Sequence, residues 1–358
     1  MAHEENSPLN ITPGAIRFNT DSMKLEYFRI GMEGGSTSSY AGIGTLAAGE
    51  WVQITTDTPD VQTGGARGVF AGGFVSGQPH VNTIDYITIA TTGNAINFGD
   101  MTDTSQLIGG GCASRTRGVF GNVNPGVDDT LNVITIASTG NAADYGNLSV
   151  SRRTAAQFSN STRGITAGGS TPTASNVIDY FTISQNGNAV DFGDCIHGGG
   201  GQQGSCASST RGVLMRANSP TNSEMEFVTI STQGNGADFG DSHVQTGGAG
   251  GASNSIRGIF AGGYKSPATS YNNISYITIA TLGDSKDFGD LTDSSGELAG
   301  VASPTRIAWG TRLSPGNGRE NTIQYLTIMT LGNTVDFGDL TQGRSGGAGM
   351  SNGHGGLG

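Results

Sequence analysis

Aspartates three residues apart recur along the chain and are its most regular feature that could carry chemistry. The pairs enclose the dipeptide Phe-Gly within stretches rich in turn-forming residues. They are Asp191 and Asp194, Asp238 and Asp241, Asp287 and Asp290, and Asp336 and Asp339. Carboxylates at this spacing beside a turn could bind Ca²⁺, which takes about six to eight oxygen ligands.

A recurring arginine could form ion pairs with these aspartates, which would give them a structural role instead of a role in binding calcium. The arginines are Arg67, Arg117, Arg163, Arg211, Arg257 and Arg306. Their number matches that of the second position of each motif, which is Asp100, Asp194, Asp241, Asp290 or Asp339, with Asn147 in the remaining unit. A bidentate arginine–carboxylate contact in each unit would fix the ends of a sheet. We therefore predict structural arginine–aspartate pairs, keep calcium as the alternative, and expect no cofactor or resident metal.

The histidines and cysteines do not form a motif that would support catalysis. The five histidines occupy unrelated positions, and no Ser-His-Asp order stands out, so we expect no enzyme activity. Cys112 and Cys206 hold equivalent positions, each five residues before an arginine, which is typical of small packing residues. A disulfide between Cys195 and Cys206 stays open.

The element that positions these residues is a repeat of about 47 residues, present six times. The aromatic residue before the recurring glycine marks it, at Phe98, Tyr145, Phe192, Phe239, Phe288 and Phe337. In the first unit we predict strands at 67–71, 84–90, 95–98 and 107–114, separated by turns such as Thr92-Gly93-Asn94. Abundant β-branched residues agree with an all-β chain.

Six units of four short strands predict an all-β protein containing a six-bladed β-propeller at 64–358, with a β-solenoid as the alternative. The chain stops where a seventh unit would begin, which favours a closed ring. Ala-Gly-Gly follows the first strand only in units one, three and five, for example at 71–73. The true period is therefore two units, and we expect pseudo-three-fold symmetry.

Composition and charge exclude several classes of protein. Glycine supplies 61 of the 358 residues without a collagen register, and the formal net charge is −11 with no basic run. Nucleic-acid binding through phosphates is therefore not expected. No apolar stretch is long enough to span a bilayer, so we expect no membrane insertion, and the polar start has no signal-peptide pattern. These features predict synthesis in a cytoplasm.

Residues 1–63 form a separate β-hairpin or meander in our interpretation. Two alternating runs and a later strand carry Phe18, Tyr27, Phe28 and Trp51. We expect these aromatic residues to belong to an attachment module.

Two resemblances bear on function. Ala-Gly-Gly at 71–73 resembles the double glycine of kelch repeats, although the usual kelch tryptophan is absent. The strings Asn-Thr-Ile-Asp-Tyr-Ile-Thr-Ile-Ala-Thr-Thr-Gly-Asn-Ala at 82–95 and Asp-Phe-Gly-Asp-Leu-Thr at 287–292 resemble repeat proteins of marine bacteriophages, especially cyanophages. Residues 13–28 and 50–54 resemble short modules of phage virion proteins, which commonly lie near an attachment point. The resemblance implies a non-enzymatic structural protein of the virion.

We expect partners for both the N-terminal module and the loops of the propeller. The N-terminal module would bind other virion proteins or form a trimer, and many copies would occupy one particle. Loops that break the repeat, at 77–82, 122–130, 216–223, 265–273 and 312–320, would meet a host glycan or protein. Candidate contact residues in and beside them are Tyr264, Tyr271, Arg216 and Arg312. A tail fibre or adhesin and a head decoration stay open, and a lectin or enzyme built on the propeller is the alternative.

Overall fold

The chain divides into two compact units, Met1–Thr63 and Gly64–Gly358. A computed structural model describes residues 15–19, 24–30, 49–53, 66–76, 80–105, 110–121, 127–171, 173–199, 204–216, 223–265, 269–316 and 318–358. None of these residues forms a helix long and apolar enough to cross a membrane.

The N-terminal unit contains a three-stranded antiparallel sheet. Its strands are β1 (Ile16–Asn19), β2 (Lys24–Ile30) and β3 (Gly49–Gln53), in that spatial order. Arg17 pairs with Glu26 across β1 and β2, with 2.9 Å between Nη2 and Oε2. The polar pair fixes one face of this small sheet.

The second unit is a six-bladed β-propeller with four antiparallel strands in every blade. Blade one runs outwards from its innermost strand β31 (Ala348–Ser351) through β4 (Arg67–Ala71) and β5 (Val81–Thr88) to β6 (Ile96–Ser105). In the same order, blade two has β7 (Cys112–Ala113), β8 (Arg117–Gly121), β9 (Asp128–Thr135) and β10 (Ala143–Arg152). Blade three has β11 (Ala156–Ser159), β12 (Arg163–Ala167), β13 (Ser175–Thr182) and β14 (Val190–Gly199).

The other three blades follow the same order. Blade four has β15 (Ser205–Ala207), β16 (Arg211–Met215), β17 (Glu224–Thr229) and β18 (Ala237–Asp241). Blade five has β19 (Gly250–Ser253), β20 (Arg257–Ala261), β23 (Asn273–Thr278) and β24 (Lys286–Asp290), and blade six has β25 (Ala299–Ala302), β26 (Arg306–Gly310), β29 (Thr322–Thr327) and β30 (Val335–Asp339). Two small hairpins add β21 (Tyr264–Lys265) with β22 (Thr269–Ser270), and β27 (Arg312–Ser314) with β28 (Gly318–Glu320). A 3₁₀ turn at Gly355–Leu357 ends the chain.

The blades are shifted by one strand from the sequence units, which corrects our assignment. The small-residue strand expected to finish the first unit is β7, and it pairs with β8 as the innermost strand of blade two. The first strand, predicted at 67–71, is confirmed as β4, whereas the bounds of the second and third strands differ by several residues, since β6 extends to Ser105. The last strand, β31, pairs with β4, so the two ends of the repeat region close the ring within blade one.

The core consists of apolar clusters between neighbouring blades. Val69 packs in the cluster shared with blade two, and the next residue, Phe70, packs in the cluster shared with blade six. Because side chains alternate across a strand, each blade buries both of its faces. This explains why the sequence units cannot fold singly and why six of them close into a ring.

The two ends of the propeller differ in their connections. With the strands of a blade numbered from the innermost outwards, one end carries the turns that join strand one to strand two and strand three to strand four. We call this end the turn face. The opposite end carries the connections from strand two to strand three and from one blade to the next, and we call it the loop face. The two-blade period is visible on the loop face in residue type, because the Ala-Gly-Gly glycines of the odd blades all have positive φ, at Gly72, Gly73, Gly168, Gly169, Gly262 and Gly263, while blade six has Thr311 with positive φ at the position of Gly72.

Candidate functional site

Five of the six recurring arginines bind backbone carbonyls of the next blade and the sixth binds an asparagine side chain there, so our prediction of arginine–aspartate pairs is wrong. The Nη1 of Arg67 donates to the carbonyls of Ile136 and Ala137 at 3.0 and 2.9 Å. Its guanidinium also lies 4.7 Å from the centre of the Tyr86 ring. A guanidinium satisfies the carbonyls that end a strand as well as it would a carboxylate, and the tyrosine adds a cation–π contact.

Equivalent contacts close the ring. Four more arginines donate to backbone carbonyls of the next blade: Arg163 to Ile230, Arg211 to Ile279, Arg257 to Ile328 and Arg306 to Ala90. Arg117 donates instead to the side chain of Asn186. In the same order, the guanidinium groups of these five arginines lie over the aromatic rings of Tyr180, Phe227, Tyr276, Tyr325 and Tyr145. Among the described residues, none of the six arginines forms an ion pair with Asp100, Asp194, Asp241, Asp290 or Asp339.

The repeated aspartate motif is a contact between blades. The amides of Gly140 and Ala142 donate to the carbonyls of Phe98 and Asp100, both at 2.8 Å. The Asn141 Oδ1 accepts from the Asp100 amide at 3.1 Å. The backbone and not the carboxylate therefore accounts for the regular spacing. Within the described ranges, no group of three or more histidines, cysteines, aspartates or glutamates could hold a metal ion.

The central channel is narrow and lined mainly by small residues. It encloses about 50 Å³, and its walls are the innermost strands, with glycine, alanine and serine predominant. On the turn face the His354 Nε2 donates to the Ala113 carbonyl at 2.8 Å, and its Nδ1 accepts from the Gly356 amide at 3.1 Å. Burial lowers the pKa of His354 to about 4, which keeps the ring neutral in this arrangement.

The three cysteines are buried and free, so a disulfide between Cys195 and Cys206 is not present. Burial raises the pKa of the Cys112 thiol to about 12 and also raises the pKa values of Cys195 and Cys206. High thiol pKa values make these cysteines poor nucleophiles.

One buried polar position in the third strand of each blade was missed by sequence reasoning. Asp85 and Asp179 hold this position in blades one and three, where their side chains are fully buried against Arg344 and Arg152. The Nη–Oδ2 distances are 3.0 and 2.9 Å. Burial lowers the pKa of both arginines, and the aspartates oppose that shift. Their position before a repeated tyrosine was the only sequence signal.

The equivalent position in blade four is Glu226, which borders a cavity of about 230 Å³. Its Oε2 accepts from the Ile196 amide at 2.8 Å, and burial raises its pKa. Arg216 bonds to Glu224 on the rim, and the His197 Nε2 lies 3.9 Å from the same carboxylate. The residues that line the cavity belong to blades three and four, and Arg216 and Glu224 among them lie at the loop face.

The other expected contact residues differ in accessibility. Arg312 is buried and pairs with Asp293 and Glu320, so our expectation that it meets a partner is wrong. Tyr264 is half-buried, and burial raises its pKa, while the half-buried Tyr271 donates its amide to the Gly263 carbonyl at 2.9 Å. Arg312 was misjudged because sequence cannot show that its two carboxylates come from neighbouring blades.

The expected attachment residues lie in the N-terminal sheet. Phe18 is exposed on β1, and Tyr27 and Phe28 are half-buried on β2. Trp51 is in β3, and its side chain lies outside the described residues. Of the loops expected to bind partners, residues 77–79, 122–126, 217–222, 266–268 and 317 also lie outside them.

Comparison with known proteins adds no family. The chain matches no protein-family model, and no curated protein is significantly similar to it. Its function has to be inferred from its own sequence and geometry.

Proposed function

We propose that the protein is a non-enzymatic structural component of a bacteriophage virion, in which the propeller is a rigid display platform. The narrow central channel carries this proposal. About 50 Å³ lined by glycine, alanine and serine is too small for a substrate and offers few reactive groups. The ring itself is therefore a scaffold.

The differences between blades support a display role. Short turns with repeated contacts form the turn face, whereas connections of unequal length and sequence form the loop face. Variable loops on a rigid frame are a common means of recognition. In many copies, weak contacts made by these loops would add through avidity.

The N-terminal sheet would supply attachment to the particle. It is a separate unit with its own strands, and Ile16 and Phe18 are exposed on its edge strand β1. Exposed apolar residues on an edge strand of the described sheet favour association with another protein. The pseudo-three-fold ring fits a site of three-fold symmetry, as in a fibre tip or a capsid decoration.

A lectin or an enzyme is the competing proposal, and it would need convergent polar and aromatic groups in the channel. The lining contains His354, but both ring nitrogens of that residue are engaged by backbone groups. This makes a substrate site in the channel the weaker proposal.

Mass spectrometry of gradient-purified virions tests the structural role. We expect the protein in a fixed ratio to the major capsid protein after washing in high salt. Its absence from particles, together with its presence in infected-cell extract, would contradict the proposal.

A further inference from the structure

The buried third-strand position shows an imbalance of charge in one blade. Its six residues are Asp85, Asn132, Asp179, Glu226, Ser275 and Gln324, all buried. Four of them accept a hydrogen bond from the amide of Thr102, Ser149, Thr292 or Thr341 in the preceding blade, and Glu226 accepts from Ile196. Asp85 and Asp179 are neutralised by arginine, and three others are uncharged. Glu226 is the one buried acid of this set without an ion pair among the described residues.

The missing cation has a defined place in the repeat. Arg152 and Arg344 each lie five residues after the last residue of the Phe/Tyr-Gly-Asp/Asn motif, at Asn147 and Asp339. The same position before blade four is Gly199, which has no side chain. Residues 200–203, which follow β14 in the chain, and residues 217–222, which precede β17, contain no lysine, arginine or histidine. These two segments thus offer no substitute for the arginine.

The cavity beside Glu226 carries excess negative charge. Arg216 forms its ion pair with Glu224, and Arg216 and His197 also favour the charged form of Glu226, but the wall carries three acids, Glu224, Glu226 and Asp238, for one arginine. Glu226 and Asp238 lie directly opposite each other on β17 and β18. Like charges in that register are unfavourable unless a proton or a cation separates them. Ile196 and Met225 supply apolar walls that suit an alkyl chain.

We propose that this cavity binds an alkylguanidinium group from outside the chain, in the manner of Arg152 on Asp179 and Arg344 on Asp85. The planar group would present paired N–H donors to Glu226, and its alkyl chain would contact Ile196 and Met225. The group could be a free small molecule or an arginine side chain of a partner protein. The inference does not depend on the virion role.

Binding should depend on pH because a proton competes with the guanidinium for Glu226. The other charged or titratable groups that line the cavity are His197, Arg216, Glu224 and Asp238, and the Cys195 thiol is hydrogen-bonded to Glu226. Burial raises the pKa of Glu226, so cation binding should release protons and should weaken as the pH falls. The Glu226→Gln variant should lose this pH dependence.

A chemical-shift titration of the full chain tests the site, with the Ile196 amide as reporter. N-propylguanidinium should bind saturably, whereas the neutral N-propylurea should not. The blocked tripeptide acetyl-Gly-Arg-Gly-amide distinguishes the sources. Equal or tighter binding of the tripeptide indicates a partner's arginine, and its exclusion indicates a free small molecule.

Three variants make the result specific. Glu226→Gln should weaken binding at least tenfold, and Gln324 shows that glutamine fits this position. Gly199→Arg should fill the site and abolish binding while raising the melting temperature. Asp287→Asn, at the blade-five equivalent of Asp238, is the matched control and should bind like the wild type. Absence of saturable binding to the wild type, or unchanged binding in folded Glu226→Gln, would overturn the proposal.

Discussion

The turn face and the loop face of the propeller are built from the same repeat but differ in how regularly their contacts between blades are repeated. On the turn face, all six interfaces contain a Gly-Asn or Gly-Asp turn or its relative against the preceding outer strand. On the loop face, one interface contains Arg152 and Asp179, while the next contains Gly199 and Glu226. Repetition marks the positions where two backbones meet. Where side chains and not backbones meet, near the loop face, the residue type differs from blade to blade.

The largest effect is expected where a loop-face pair is broken. Arg152→Met leaves the Asp179 carboxylate buried without its cation, and it should lower the free energy of unfolding by about 3–5 kcal/mol. Adding Asp179→Leu should recover most of the loss, because the unpaired charge is then removed. Chemical denaturation measures both. A loss below about 1 kcal/mol in the single variant would mean that the pair is not important.

The turn face should be sensitive to a single methyl group. In Gly146→Ala the new Cβ would clash with the Gly187 carbonyl oxygen, whereas in Gly187→Ala it would meet nothing within 4 Å. Both glycines have positive φ, at 143° and 157°. The first variant should cost about 3 kcal/mol and the second about 1 kcal/mol in thermal unfolding. Equal costs would mean that strain in φ, and not the close approach, explains the motif.

The arginine ring should give a smaller, graded effect. Arg257 lies 4.5 Å from the Tyr276 ring centre, while Arg117 lies 5.8 Å from that of Tyr145. Arg257→Met should therefore cost about 1–2 kcal/mol, and Arg117→Met less. Denaturation with urea would measure the two. The reverse order would contradict the assignment of a cation–π contribution.

The smallest effect at neutral pH is expected from His354 at the channel, whose contribution becomes visible only on acidification. Its pKa in the folded protein, about 4, lies below its ordinary value of 6.5, so the unfolded chain binds the proton more readily. Stability from this group is complete above about pH 6.5 and is lost as the pH falls towards 4. Melting temperatures from pH 7 to 4 should fall less steeply in His354→Asn. An identical slope in both proteins would contradict this role.

The sequence was informative where the backbone repeats and silent where distant side chains meet. The spacing of the Phe-Gly motif predicted six four-stranded blades, and the structure confirms them. The same regularity misled us about Arg67, because stoichiometry cannot tell a carboxylate from the carbonyl of Ile136. The cavity at Glu226 depends on what Gly199 lacks, and this becomes visible only after the blades are superposed on one another.

The most direct test of the display role is a reconstruction of the purified virion that resolves the orientation of the propeller. We predict that the turn face is directed towards the particle and that the loop face, including the cavity at Glu226, is directed outwards. A propeller with its loop face buried against the capsid or tail, or a particle without the propeller, would contradict the account.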